Sequence, residues 1–511
     1  MSILNPPKEE LKELFTSALN QTLALEFGNA YNRDPSEPGT WEQLLSITAG
    51  PDQKRVGNQE QLDEILQIIF KANSYGINTR HPGIVSATPG GGLPMGAMAD
   101  MITGLLNPFT AFSYSSPGCV QIEKAILRWF CDIYGYSASS FGFLTSGGSS
   151  SLTSAINIAR NEAFGCDVDQ RTLVIYAHAN YHHCIIKVMR SAGIPLKNLR
   201  ILNCLPDASL ALDTSTLRAQ ITQDREAGLN PLCLIGYMGS TNTGSVDDFK
   251  TMADIAEDEK LWFHVDAAYG GGFILTEAGK ALAQGIERAD SIMLDPHKSM
   301  FLPSGTGVLL VKNFQTMKRL YSTSAEDMPY CANAFSNVEA NIDLCELTPE
   351  LTRPFRALRL WLPLRLYGVA AFVETLEERL RLAKVIGDWL VTQAERRLVI
   401  NEDMFQLVVT SAPILSALTF RLQLVAKEDE KRSSENLKAL EEKTNRNLLG
   451  KVNATNNFLL FGTVLSPAAI FVIRICILSV RTTSEKVDEL IEVLDQALSS
   501  LDTTSLTVTT A

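Results

Sequence analysis

Between residues 172 and 311 the chain repeats one pattern, a short run of branched apolar residues followed by a longer stretch with apolar residues at helical spacing. The runs fall at 172–176, 199–203, 232–237, 262–265, 291–294 and 307–311. Several are apolar throughout instead of alternating, as strands covered on both faces must be. Strands that alternate with helices in this way build an α/β fold around a mostly parallel sheet. Such sheets bind ligands beyond the carboxyl ends of their strands, so the residues that follow each run are where chemistry is to be sought.

The flanking segments follow other rules. Leu11, Leu14, Phe15 and Ala18, then Leu62, Ile65, Leu66 and Ile69, have helical spacing, and a loop rich in proline and glycine at 35–51 separates them. Gly90, Gly91 and Gly92 mark another sharp turn. Beyond residue 370 a long amphipathic helix around 370–397, strands at 404–410, 416–422 and 470–478, and a closing helix at 484–498 predict a second, smaller α/β unit. Within it, 427–446 carries six acidic and six basic side chains and reads as a solvated helix or loop. The expected division is a helical N-terminal segment at 1–85, a large domain at 86–370 and a small C-terminal domain at 371–511.

Composition removes whole classes of function. A net charge of −12 gives a long-range field that repels phosphate backbones and anionic lipid, so neither nucleic acid nor a membrane surface is an expected partner. No stretch approaches the roughly 18 apolar residues of a membrane span, and the best candidate, 468–480, is interrupted by Arg474. The N-terminus has acidic residues and prolines where a secretory signal has a basic start and an apolar run. The nine cysteines show no CxxC pair or disulfide spacing, which predicts a reducing, cytoplasmic setting.

Four features carry chemistry. In LDPHKSM, Lys298 directly follows a predicted buried strand and His297. A lysine in apolar surroundings can lose its proton readily enough to condense with an aldehyde. The run at 262–265 ends in Asp266, followed by the small residues Ala267 and Ala268. A carboxylate there either caps a helix or, in a pyridoxal phosphate site, pairs with the protonated pyridine nitrogen. FLTSGGSSSLTSAINIAR, from Phe143 to Arg160, is a Ser/Gly turn feeding a helix, whose N–H groups and dipole make an anion cradle. It lacks the spacing of dinucleotide and P-loop motifs. Three of the six histidines, His178, His182 and His183, crowd HANYHHCIIKVMRSAG. With no HExxH and no carboxylate at ligand spacing, no metal site is expected, and an imidazole stacked on a flat cofactor is the better use.

Cradle, histidine, aspartate and lysine, in that order, resemble the fold-type-I pyridoxal phosphate enzymes. More narrowly, HPGIVSATPGGGLPMGAMADM, SSPGCVQIEKAILRWF, TSGGSSS, HVDAAYGG, DPHKS and RPFRALRLWLPLRLYG, spread over 81–483, resemble the group II amino-acid decarboxylases that act on aromatic amino acids, glutamate and cysteine sulfinate. That resemblance implies pyridoxal 5′-phosphate as cofactor and a homodimer with the active site at its interface. It also implies decarboxylation of an L-amino acid to an amine and CO₂ through an external aldimine and a quinonoid. Lys298 then corresponds to the Schiff-base lysine, Asp266 to the pyridinium partner and His182 to the ring-stacking histidine. Gly148 and Ser149 match the phosphate cradle, His297 a neighbour of phosphate and substrate, and Thr241 a residue near the ring hydroxyl. Intact Lys298, Asp266 and His182 argue against a silent homologue kept as a binding scaffold.

Two segments bear on outcome and substrate. Asp327-Met328-Pro329-Tyr330 resembles the loop whose tyrosine protonates the substrate carbon in the decarboxylases and is phenylalanine in aldehyde-forming relatives, so Tyr330 is the expected proton donor and an aldehyde synthase the rival reading. The segment from Ser86 to Gly90 matches the side-chain pocket and assigns Thr88 and Pro89 to substrate binding. It is smaller and less aromatic than in the animal enzymes. Phe109, Phe112 and Tyr114 are the aromatics left to supply ring contacts, from the same or the neighbouring subunit.

Overall fold

A computed structural model describes residues 8–24, 59–86, 88, 91–323, 343–425 and 432–501. Seven strands form its central sheet: β1 (Phe141–Thr145), β2 (Leu173–His178), β3 (Leu199–Leu202), β4 (Asn230–Tyr237), β5 (Trp262–Asp266), β6 (Ser291–Leu294) and β7 (Gly307–Val311). Their order is β1-β7-β6-β5-β4-β2-β3. The pairings among β2 to β6 are parallel, whereas β7 runs antiparallel to both its neighbours. Helices cover both faces, which is why every residue of β5, β6 and β7 is buried.

The period of two along each strand decides which side chains meet the ligand site. Phe263 and Val265 of β5 and Ile292 and Leu294 of β6 enter one apolar cluster with Phe130 and Phe249. Trp262 and Met293 enter the other, with Ile156 of the helix Gly148–Phe164. Asp266 follows Trp262 by four residues and so faces that helix. Tyr237, paired in register with Asp266 across β4 and β5, faces it too.

A second sheet holds β8 (Arg397–Ile400), β9 (Asp403–Ser411), β10 (Ala417–Leu424), β11 (Phe461–Leu465) and β12 (Ile470–Cys476), in the order β11-β12-β10-β9-β8, all antiparallel. Alternate residues Leu418, Phe420 and Leu422 pack on Ile386, Leu448 and Leu490 from three covering helices, Leu358–Gln393, Ser434–Asn453 and Ser484–Leu501.

Several expectations need correction. The long helix begins at Leu358, breaks at Gly368 (φ 75°) and stops at Gln393, so residue 397, expected to end the helix, instead opens the strand β8. The strands β1 and β11 went unforeseen. The charged run is in part a helix with a buried face. Asn445 on it clamps β10 from the side, its Nδ2 donating to the Leu422 carbonyl at 2.8 Å and its Oδ1 accepting the Leu422 N–H at 2.7 Å. At the N-terminus, helices Lys8–Leu23 and Gln59–Asn73 are joined by Gln21 Nε2 donating to Asp63 Oδ1 at 2.7 Å, while Phe15, Leu19, Ile65 and Ile69 stay exposed. The loop predicted at 35–51 lies outside the described residues. No helix among the described residues is long and apolar enough to cross a membrane.

Candidate active site

Beyond the carboxyl ends of β4, β5 and β6 lies a cavity of about 300 Å³. Lys298 reaches it from the turn after β6, which the Lys298 N–H closes on the Asp295 carbonyl at 2.8 Å. The Lys298 ammonium stands 3.1 Å from Asp295 Oδ2. His297 Nδ1 donates to the Thr306 carbonyl at 2.7 Å, so Nε2 is the nitrogen turned toward Asp295, at 3.8 Å.

Asp266 lines the same cavity at the end of β5, its Oδ1 accepting the Ala268 N–H at 3.0 Å. Burial raises its carboxyl to about 6, a push that Lys298 opposes and Asp295 reinforces. A cation brought against Asp266 would hold it ionised. Opposite, the helix Gly148–Phe164 opens on Gly147 with no side-chain cap, which leaves first-turn N–H groups for an anion. Ser146, Gly148 and Ser149 line the cavity there. A Cβ on Gly148 would stand 3.1 Å from Asp295 Oδ2, so the approach of these two loops depends on glycine.

His182 also lines the cavity, its Nδ1 accepting the Cys184 N–H at 3.3 Å. Burial, with Lys298 and His183 nearby, lowers it to about 4, so its ring is neutral at ordinary pH. His178 is elsewhere, wholly buried against Tyr237 at 4.5 Å between ring centres, and His183 is exposed. Thr241 lines the cavity in a turn that needs Gly239 at φ +91°, where a Cβ would strike the Tyr269 ring at 2.5 Å. The second sheet buttresses this side, because Arg474 of β12 donates to the carbonyls of both Thr241 and Ser86. Thr88 lines the cavity; Pro89 and Tyr330 lie outside the described residues. Phe112 is core, whereas Phe109 and Tyr114 are exposed, and none of the three lines the cavity.

Asp295, Tyr237 and Cys184 are among the lining residues that escaped the sequence reading. Asp295 is 4% exposed and its Oδ1 has no hydrogen-bond partner. Tyr237 could have been found, since it ends a strand beside the one that ends in Asp266. Cys184, whose thiol burial pushes up to about 12, gives no sequence signal.

An amine for an aldehyde, a buried carboxylate for a ring nitrogen, a neutral imidazole and an uncapped helix start together fit pyridoxal 5′-phosphate, and with the β-sheet order they define an α/β enzyme that uses this cofactor. The pyridoxal-dependent decarboxylase conserved domain matches residues 47–412, and the chain belongs to that family. The aromatic-L-amino-acid decarboxylase of Bacillus atrophaeus is 32% identical over 406 residues, 80% of this chain and 79% of that protein. The phenylacetaldehyde synthase of Arabidopsis thaliana is 27% identical over 460 residues, 88% and 87% of the two chains. The crystal structure of Oryza sativa TDC with PLP and tryptamine shares the fold, with a TM-score of 0.83 at 21% identity over 97% of this chain and 99% of that one. The protein is therefore a pyridoxal phosphate-dependent carboxy-lyase acting on amino acids.

Proposed function

We propose that the protein decarboxylates an aromatic L-amino acid to its amine, working as a cytoplasmic homodimer. One arrangement supports the chemistry: Lys298, Asp266, His182 and the turn at 146–149 line a single cavity. When bound, pyridoxal 5′-phosphate supplies the electron sink for loss of CO₂. The chain's own part is positioning and charge. The helix start and Ser149 hold the phosphate, and Asp266 keeps the ring nitrogen cationic. His182 would offer the ring a neutral flat face, and Thr241 would serve its hydroxyl. Lys298 provides the amine and carries protons, His297 and Thr88 with Pro89 orient the substrate, and Tyr330 returns a proton to the α-carbon.

The aromatic class rests on the relatives' activities. Pairing of two subunits agrees with the apolar side chains that one chain leaves exposed on neighbouring helices, Met101, Leu105 and Leu106 on Pro94–Leu106 with Leu366 and Tyr367 on Leu358–Gln393. We assign residues 1–85 to packing on the partner, 86–370 to cofactor binding and 371–511 to the small domain, with Phe109 and Tyr114 facing the partner's site. The free cysteines among the described residues suit a reducing cytoplasm. Similarity to a phenylacetaldehyde synthase favours aldehyde formation as the second reading. Incubating the purified protein with a panel of amino acids while measuring amine, aldehyde and CO₂ decides: amine and CO₂ in equal amounts are expected, and aldehyde with peroxide but no amine overturns the proposal.

A further inference from the structure

Asp295 is an acid in a place that attracts anions. Its carboxylate is 4% exposed and lies against the turn that starts the helix Gly148–Phe164. A Cβ would stand 3.1 Å from Oδ2 on Gly148 and 4.0 Å from Oδ1 on Gly147. Oδ2 has Lys298 at 3.1 Å, and Oδ1 has no partner. The first-turn N–H groups and the helix dipole draw a phosphate to this spot, where it meets a like charge in a medium that screens poorly. Relief from the surroundings is small. Of the groups facing Asp295, Asp266 is a second acid, while His182, lowered to about 4, and Cys184, raised to about 12, are neutral. His297 Nε2 stands 3.8 Å away, beyond hydrogen-bond reach. The remaining cation facing it among the described residues, Lys298, pairs with Oδ2, so Oδ1 meets the phosphate without one.

We infer that Asp295 carries a proton whenever a phosphate ester sits at the turn 146–149, so that cofactor loading takes up one proton and the orphan Oδ1 becomes a donor to the phosphate. This rests on reading the cavity as the cofactor site.

The probe is 4′-deoxypyridoxine 5′-phosphate, which keeps ring and phosphate but has no aldehyde, so bonding to Lys298 does not enter. Binding is followed by calorimetry in two buffers of different ionisation heat, on wild type and on Asp295→Asn, which carries the donor permanently. Wild type should take up about one proton more per site than the variant, and its affinity relative to the variant should fall about tenfold per pH unit on the alkaline side. Deoxypyridoxine without the phosphate, on wild type, should bind without the extra proton, a control that stands even if the variant fails to fold. Equal uptake by both proteins, or the same uptake without the phosphate, overturns the role of Asp295. Failure of wild type to bind the phosphorylated probe overturns the cofactor reading of the cavity instead, and the inference with it.

Discussion

Replacing Asp266 by asparagine separates what this carboxyl does to the fold from what it does for the site. Burial raises it from 3.8 to about 6, with Lys298 and the Ala268 N–H pulling the other way, so ionising it inside the protein costs about 3 kcal/mol. The folded chain thus holds the proton more tightly than the unfolded chain. Stability contributed at this position is full below about pH 4, falls as pH rises through about 6, and the penalty is complete above that. Asparagine cannot ionise, yet it keeps an oxygen to accept the Ala268 N–H now at 3.0 Å. Cofactor-free Asp266→Asn should therefore melt about 3 °C above wild type at pH 8, with the gap closing toward pH 4. Cofactor reverses the order. A ring cation about 4 Å from the carboxylate is worth about 4 kcal/mol at an effective dielectric of 20, an interaction that a neutral amide forgoes. The Tm gain on adding pyridoxal 5′-phosphate should be smaller in the variant, and decarboxylation should drop by about a thousandfold. Thermal melts of both forms across pH 5–8, with an amine assay, test each half. A cofactor-free variant less stable than wild type at pH 8 would refute the burial argument, and equal Tm gains would refute the ion pair.

Two further substitutions probe named atoms. Lys298→Ala removes the amine, so borohydride treatment of the loaded protein should no longer add cofactor mass to the peptide containing position 298; a persistent label would move the attachment to another lysine. Tyr330→Phe should shift the product from amine toward aldehyde while leaving that label intact, and unchanged amine formation would show that the proton comes from elsewhere.

How much of this was legible in the sequence depends on what each residue's neighbours are. Strands β2 to β7 announce themselves because burial on both faces leaves continuous apolar runs. The first strand hides. Its second residue, Gly142, looks like a break, but a Cβ there would stand 2.2 Å from the Leu309 carbonyl oxygen, so the glycine serves close packing on β7. The strand β8 follows the helix ending at Gln393 without a proline or glycine to mark the change. Lys298 and Asp266 were readable because each stands at or just past a strand's carboxyl end, where side chain and ligand must meet. His182 was preferred to His178 and His183 only through the family resemblance, since a turn between β2 and the helix Cys184–Ser191, which spacing does not reveal, decides which ring enters the cavity.

Asp295 was hidden for a different reason. Three residues before a lysine, it reads the same whether it braces its own turn or crosses to another, and its contact with Gly147 and Gly148 is made by topology alone. The strand β7 opposes both β6 and β1, which makes β1 and β6 parallel to each other although neither touches the other. The turns that follow them, one carrying the helix start and the other carrying Asp295 and Lys298, therefore emerge at the same edge of the sheet. The single strand that breaks the parallel pattern is thus what brings a phosphate cradle, a lysine and an extra acid into one cavity.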